Sequence, residues 1–316
     1  MVENTEKLRY RRKRNRKGRK KARKALWIFI ALLLCFTGIT YYQNVSIGLT
    51  TYTVTSEKIG AAFDGVSIIQ LTDVHSIRSQ KQADTIIEKV ASCEPYLIAL
   101  TGDLVDSRYY STDQSAIPCS ETVEFVKRLI EIAPVYYIYG NHEIVLLDDP
   151  DGNPFKTALE EAGVHIINNQ ALVLEKDGEK MNLLGIQDPS TLYKDPYFAY
   201  VDGDKITAML DYVTEGIDES LFTLLLSHRP EAFETYSKYP LDLVLTGHAH
   251  GGQFRIPFVG GVYAPNQGFF PKYTAGVFKD EASGMQMEVG RGIGNSTIPV
   301  RIFNQPEIVN VVLEAQ

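Results

Sequence analysis

The 316-residue chain is 44% hydrophobic and 22% charged, which excludes wholesale disorder and suffices for one large core. Its formal charge of −7 is unevenly spread: 13 Lys or Arg side chains lie between Lys7 and Lys24, and beyond residue 24 the balance is 19 basic to 37 acidic. So acidic a body argues against an enzyme that grips nucleic acid, whose phosphates need a basic surface, and no nucleic-acid partner is expected.

Residues 1–24 therefore form a basic head, and residues 25–42, "ALWIFIALLLCFTGITYY", follow as 18 positions without a charge, about the minimum for a helix crossing a bilayer. Trp27 and the Tyr41-Tyr42 pair stand where amphipathic aromatics favour the membrane interface. The positive-inside rule leaves the head in the cytoplasm and the body on the other face, as a single-pass protein of the cell membrane. A cleaved signal peptide is the competing reading, but the basic region is long for one and no small-x-small site follows the apolar run. Cys93 and Cys119 are expected to remain unpaired, because they fall toward opposite edges of the predicted sheet.

The body, residues 50–316, reads as one catalytic domain. "LTTYTVTSEKI" is an edge strand and "VSIIQLTD" a buried one. A helix follows, with Ile86, Ile87 and Val90 on one face. Then come the strand "YLIALTGD", the helix "CSETVEFVKRLIEI" and the strand "VYYIYGNH", a β-α-β-α-β order that predicts a mostly parallel sheet covered by helices. "FKTALEEAG" and "KITAMLDYV" read as helices, "KDGEK" as a hairpin turn, and "LFTLLLSH" and "LDLVLTGHAH" as further buried strands. The Gly- and Tyr-rich C-terminal third is expected to close a second sheet. There is no internal repeat, and nothing in the chain signals an oligomeric state.

Five of these strands end in metal-competent polar tips: Asp73 and His75, Asp103 and Asp106, Asn141 and His142, His228, and His248 with His250. Five of the six histidines fall in these tips, and ligands of open α/β sheets bind beyond the carboxyl ends of strands. Carboxylate with imidazole suits Mn, Fe or Zn, and the donors outnumber the needs of one ion. Two divalent ions sharing a carboxylate would use them and suit hydrolysis at phosphorus. His165 has no partner motif and reads as a strand or surface histidine. Glu143 reads as a general base or, more simply, as a cap of the next segment. Arg255, Arg291 and Arg301 read equally as phosphate contacts or structural pairs. The aromatics of residues 262–278 read equally as a lipid-facing lip or as a packed second sheet.

In order, D-x-H, G-D-x-x-D, G-N-H-E, a lone His and G-H-x-H, the chain resembles the calcineurin-like metallophosphoesterases of the membrane-anchored bacterial type. The "GHAHGGQ" block and "RGIGNSTIPVRIFNQPEI" near the C-terminus add to the likeness. The resemblance implies a four-layer α/β/β/α sandwich and two metal sites: Asp73, His75, Asp103 and His250 at one, and Asp103, Asn141, His228 and His248 at the other. It implies His142 as a catalytic acid beside the leaving oxygen, Asp106 as its orienting partner, and attack on phosphorus by a hydroxide held between the metals. The expected substrate is a phosphorylated small molecule or lipid carrying a phosphodiester or pyrophosphate, such as UDP-2,3-diacylglucosamine. A phosphomonoesterase and a non-catalytic, metal-stabilised surface protein are the alternatives.

Overall fold

The computed structural model describes residues 2–77, 79–106, 119–143, 154–192, 203–295 and 298–316. The chain divides into two compact units, residues 1–45 and 46–316. The first is one helix, α1 (Val2–Val45), whose segment Arg19–Val45 is long and apolar enough to cross a membrane. Its apolar side chains are exposed, Trp27 by 65% and Leu34 by 68%.

The second unit is built on two six-stranded sheets. The first takes β1 (Gly48–Ser56), β2 (Ser67–Leu71), β3 (Leu97–Thr101), β4 (Val135–Ile138), β5 (His165–Ile166) and β16 (Glu307–Ala315), in the order β1-β16-β2-β3-β4-β5. The second takes β6 (Gln170–Lys176), β7 (Glu179–Gly185), β8 (Thr223–Leu226), β9 (Leu243–Thr246), β14 (Gly276–Lys279) and β15 (Gln286–Val289), in the order β14-β15-β9-β8-β7-β6. Helices α2 (Gln80–Ala91), α3 (Cys119–Ile130) and α4 (Pro154–Ala162) cover the first sheet, and α5 (Gly203–Thr214) with α6 (Phe233–Tyr236) covers the second. Three hydrophobic clusters fill the three spaces between layers, with Ile68, Leu97, Leu224 and Leu243 among the side chains between the sheets. Four layers in the order α/β/β/α follow, as the sequence implies. Two small hairpins, β10 (Arg255–Ile256) with β11 (Gly260–Gly261) and β12 (Tyr263–Ala264) with β13 (Gly268–Phe269), stand apart from both sheets.

Local chemistry accounts for the elements. Ser79 caps α2 by accepting from the Gln82 N–H at 3.2 Å, and Ala83, Ile86 and Val90 recur at helical spacing on the buried face. Asp177 and Gly178, both at positive φ, make the two-residue turn that joins β6 to β7. The C-terminal third divides: β14 and β15 extend the second sheet, but β16 crosses to the first, parallel to β1 and antiparallel to β2. Cys93 is a free thiol, whereas the Cys119 side chain lies outside the described residues.

Glu288 is an exception inside this core. Met287 and Val289 pack outward against α5 and α6, so Glu288 between them faces the inter-sheet side, fully buried, and neither carboxyl oxygen has a hydrogen-bond partner. Burial, joined by the charge of Glu307 and opposed by Arg291, raises its pKa well above the ordinary value. A raised folded-state pKa makes the fold bind the proton longer than the unfolded chain does, so stability falls as pH rises above the ordinary carboxylate range. Glu288→Gln is expected to melt higher than the native chain at pH 8, with the gap closing toward pH 4. Parallel thermal melts across that range measure it, and a gap independent of pH would contradict the assignment.

Candidate metal centre

The tips of β2, β3 and β4 from one sheet meet those of β8 and β9 from the other. Backbone bonds lace the first two together: Asp73 N–H donates to Gly102 O, His75 N–H to Asp103 O, and Ser76 N–H to Leu104 O. Gln70 Nε2 donates to Thr101 Oγ1 at 2.9 Å within the first sheet and to Thr246 O at 2.8 Å across to the second, and the His248 N–H donates to Asp73 Oδ2 at 3.0 Å. A Cβ on Gly247 would stand 1.9 Å from Thr72 Oγ1 and 2.5 Å from Asp73 Oδ2, so only glycine lets the tip of β9 come this close.

The convergence does not come from strand alternation. Asp73, His75, Asp103, His248 and His250 all lie at positive φ, between 46° and 62°. Left-handed backbone costs each of these non-glycine residues roughly 1–2 kcal/mol, and such strain persists where the surrounding structure holds it for a functional end.

Three groups of donors result, and Asp103 belongs to two of them. Asp73, His75, Asp103 and His250 form one, Asp103, His228 and His248 another, and His75, Asp106 and His142 the third, each with its ligand atoms within 4.8 Å of one another. Asp103 Oδ2 lies 3.3 Å from His228 Nε2 and 3.8 Å from His75 Nε2, while its Oδ1 accepts the His142 N–H at 2.8 Å. His75 Nε2 and His250 Nε2 stand 3.2 Å apart, and His250 Nε2 is 3.2 Å from Asp73 Oδ1. Asn141, buried at the tip of β4, follows Gly140 in the same loop. His142 Nδ1 faces Asp106 Oδ1 at 3.7 Å, and its ring meets that of His75 edge-on at 4.7 Å.

The electrostatics suit cations. Burial raises the Asp103 carboxyl, but the imidazoles of His228, His142 and His75 outweigh it and hold it well below the usual range. Burial lowers His228, yet the charges of Asp103, Asp73 and Asp188 raise it overall. Burial lowers His248 and His250, helped by Arg229 and His228 at the first and by Arg301 at the second, which favours neutral imidazoles. The His228 Nδ1–H donates to Thr101 O at 2.7 Å, which turns Nε2 toward Asp103 at 3.3 Å. Asp73 Oδ1 and His228 Nε2 are buried without hydrogen-bond partners, a need that divalent ions would meet. The donor set fits them.

Residues that the sequence reading passed over support these tips. Asp188, beyond β7, grips Arg229 through both carboxyl oxygens, and burial, which raises Asp188, is overcome by that guanidinium, holding it at about 2. Arg229 Nη1 donates to Asn266 Oδ1 at 2.8 Å, and the same oxygen lies 3.0 Å from His248 Nε2. Arg229 Nη1 itself stands 2.9 Å from His248 Nε2, so guanidinium and amide together fix this imidazole. The available signal was weak: Asp188 ends an apolar strand as the ligands do, but without a histidine beside it. Glu143 is a clamp. Its Oε2 accepts the N–H groups of Gly140 at 2.7 Å and Asp103 at 2.9 Å, and its Oε1 accepts that of Val105 at 3.2 Å. Arg291 pairs with Glu307, while Arg255 and Arg301 donate to backbone carbonyls, Arg301 also standing 3.4 Å from His250 Nδ1. His165 stacks on Tyr136 on β4 and belongs to none of the donor groups.

With this geometry in view, the profile of the calcineurin-like phosphoesterases matches residues 66–252. The metallophosphoesterase YkuE of Bacillus subtilis is 28% identical over 283 residues, covering 87% of this chain and 88% of its own. The phosphodiesterase YaeI of Escherichia coli is 29% identical over 224 residues, covering 70% and 71%. Among solved structures, Haemophilus influenzae NAD nucleotidase aligns with a TM-score of 0.44 at 15% identity, over 72% of this chain and 45% of that one.

Proposed function

We propose that this chain, which belongs to the calcineurin-like phosphoesterase family of metal-dependent phosphoric ester hydrolases, is a membrane-anchored dinuclear enzyme for phosphodiesters or pyrophosphates. Its substrate would be lipid- or nucleotide-linked, the class to which UDP-2,3-diacylglucosamine belongs. The sharing of Asp103 by two donor groups carries this reading. Asp73, His75, Asp103 and His250 would hold one ion, and Asp103, Asn141, His228 and His248 the other, with Mn, Fe or Zn suiting the donors. Such ions supply charge neutralisation at phosphoryl oxygens and an activated water.

The chain's own residues do the rest. Asp103 orients the loop of His142 by accepting its N–H. His142 stands beside the two donor groups that share Asp103, where its imidazole can pass a proton to the leaving oxygen while Asp106 holds the ring. Residues 1–24 are read as the cytoplasmic head, 25–42 as the single span and 50–316 as an extracytoplasmic catalytic domain, an orientation that rests on the 13 basic side chains before residue 25.

Purified full-length protein in detergent tests the chemistry. Two divalent ions per chain are expected, with hydrolysis of a chromogenic phosphodiester that chelation abolishes and Mn restores. Faster turnover of a monoester, or metal content near zero, would overturn the reading. A C-terminal tag reached from outside intact cells is expected, and a cytoplasmic tag would reverse the orientation.

A further inference from the structure

The two small hairpins after the "GHAHGGQ" block carry an apolar surface that the chemistry does not use. Ile256 is 44% exposed, Phe258 110%, Val259 63%, Phe269 75%, Phe270 65% and Phe303 40%. Ile256, Phe258, Val259 and Phe303 line an open hollow of about 460 Å³ with Arg255 at one side. The second hairpin adjoins the first, because the Val262 N–H donates to Phe254 O and Gly252 O and the Phe270 N–H donates to Val262 O.

The backbone marks this surface independently. Phe258, Phe270 and Phe303 sit at φ of 69°, 54° and 50°. Phe258 follows Pro257 in a turn closed by the Val259 N–H on Ile256 O, at the position where glycine or asparagine is the low-strain choice. Phe258 and Phe270, bulky aromatics in left-handed backbone, are turned outward where a packing role would turn them in.

Charge points the same way. No carboxylate side chain occurs between Asp242 and Asp280, nor between Glu288 and Glu307, in a body that carries 37 of them, while Arg255, Lys272 and Lys279 fall in the first gap. An anionic leaflet repels acids and attracts such bases. The chain's own course adds the location. Helix α1 ends at Val45 and β1 begins at Gly48, a link of two residues, at most about 7 Å of extended chain. Ser46 in that link accepts from Gln305 Nε2 at 2.8 Å, and the Gly48 N–H donates to Pro306 O, two and three residues past Phe303. Residues 301–306, a strap before β16, also carry Arg301 and Asn304 to His250, and the second hairpin carries Asn266 to His248.

We propose that the hairpins of residues 254–270, with Phe303 on the strap beside them, form a docking rim that inserts into the bilayer surface and seats the mouth of the metal centre on the membrane. This rests on the membrane-anchor reading above. A rim so placed would present membrane-borne phosphoesters to the ligands at the bilayer surface, without extraction into water.

The test uses the full-length chain, whose single tryptophan is Trp27, reconstituted into vesicles of phosphatidylcholine and phosphatidylglycerol with and without brominated acyl chains. In the native chain, quenching of Trp27 reports the anchor alone. In a Trp27→Phe background, Phe258→Trp is expected to emit at blue-shifted wavelength and to lose roughly half its emission to brominated lipid, as interfacial indoles do. Tyr212→Trp, 66% exposed on α5, is the control expected to remain unquenched. Quenched Trp27 with unquenched Phe258→Trp would overturn the rim and leave the anchor standing. Unquenched Trp27 would remove the anchor and the rim with it. A Phe258→Trp blue-shifted equally in detergent and indifferent to bromine would assign the surface to protein contact and overturn the proposal.

Discussion

Asp103→Asn is expected to lower phosphodiester turnover by about three orders of magnitude, some 4 kcal/mol of transition-state stabilisation. The substitution keeps the shape and can keep the 2.8 Å bond from the His142 N–H. What it removes is charge, at the carboxylate that faces His75, His142 and His228 together and belongs to two donor groups. Two ions close enough to share a ligand repel each other, and a neutral amide cannot screen them. Metal content should therefore fall together with rate, while circular dichroism remains native. A variant that keeps both ions and more than a small fraction of its rate would show that Asp103 does not bridge.

Glu143→Ala is expected to act on the fold as strongly as Asp103→Asn acts on rate. Its carboxylate accepts three backbone N–H groups, from Asp103, Val105 and Gly140, in a fully buried position. Leaving buried donors unmet costs about 1–3 kcal/mol each, and neighbouring losses are not additive, so about 4 kcal/mol is the expected total. That is a large share of an ordinary domain's stability. Glu143→Gln should cost far less, about 1–2 kcal/mol, because a single amide oxygen can still accept from Asp103 and Gly140 and only the bond to Val105 is lost. Denaturant titration of the three proteins gives the order. Equal losses for Ala and Gln would mean that the negative charge matters and the bonds do not. Burial and the charge of Asp103 push this carboxyl up, to about 7, so the clamp holds two ligand loops together at an electrostatic cost.

The strand tips were legible because each ligand stands at the end of an apolar run, and such runs can be recognised without knowing their neighbours. Asp73, His75, Asp103, His228, His248 and His250 come together as their order along the chain implied. The reason given for it was incomplete, since the tips belong to two sheets and the paired residues reach the site through left-handed backbone. Backbone handedness has no periodic signature. Arg229 and Asp188 were illegible for another reason: 41 residues separate them, and nothing local marks one as the other's partner. Glu143 was read as a cap of the segment after it, whereas its acceptors serve the loops around Gly140 and Asp103. The aromatic stretch of residues 262–278 proves divided, with Tyr273 buried against Phe233 and Phe278, and Phe269 and Phe270 exposed. Pattern alone could not part these, because hairpin turns decide which rings point inward.

The place of β16 bears on how the protein is made. β1 is among the first segments of the catalytic unit to leave the ribosome, yet its neighbour in the sheet is the last strand, about 260 residues later, and at roughly 5–20 residues per second that interval lasts from about ten seconds to nearly a minute. Until then β1 has an open edge and β2 lacks its antiparallel partner, so the first sheet cannot close during synthesis. The rest of the chain is made beside an unfinished sheet, and maturation is set by the arrival of β16. Any nascent-chain holdase it needs should be wanted longest at the β1 edge.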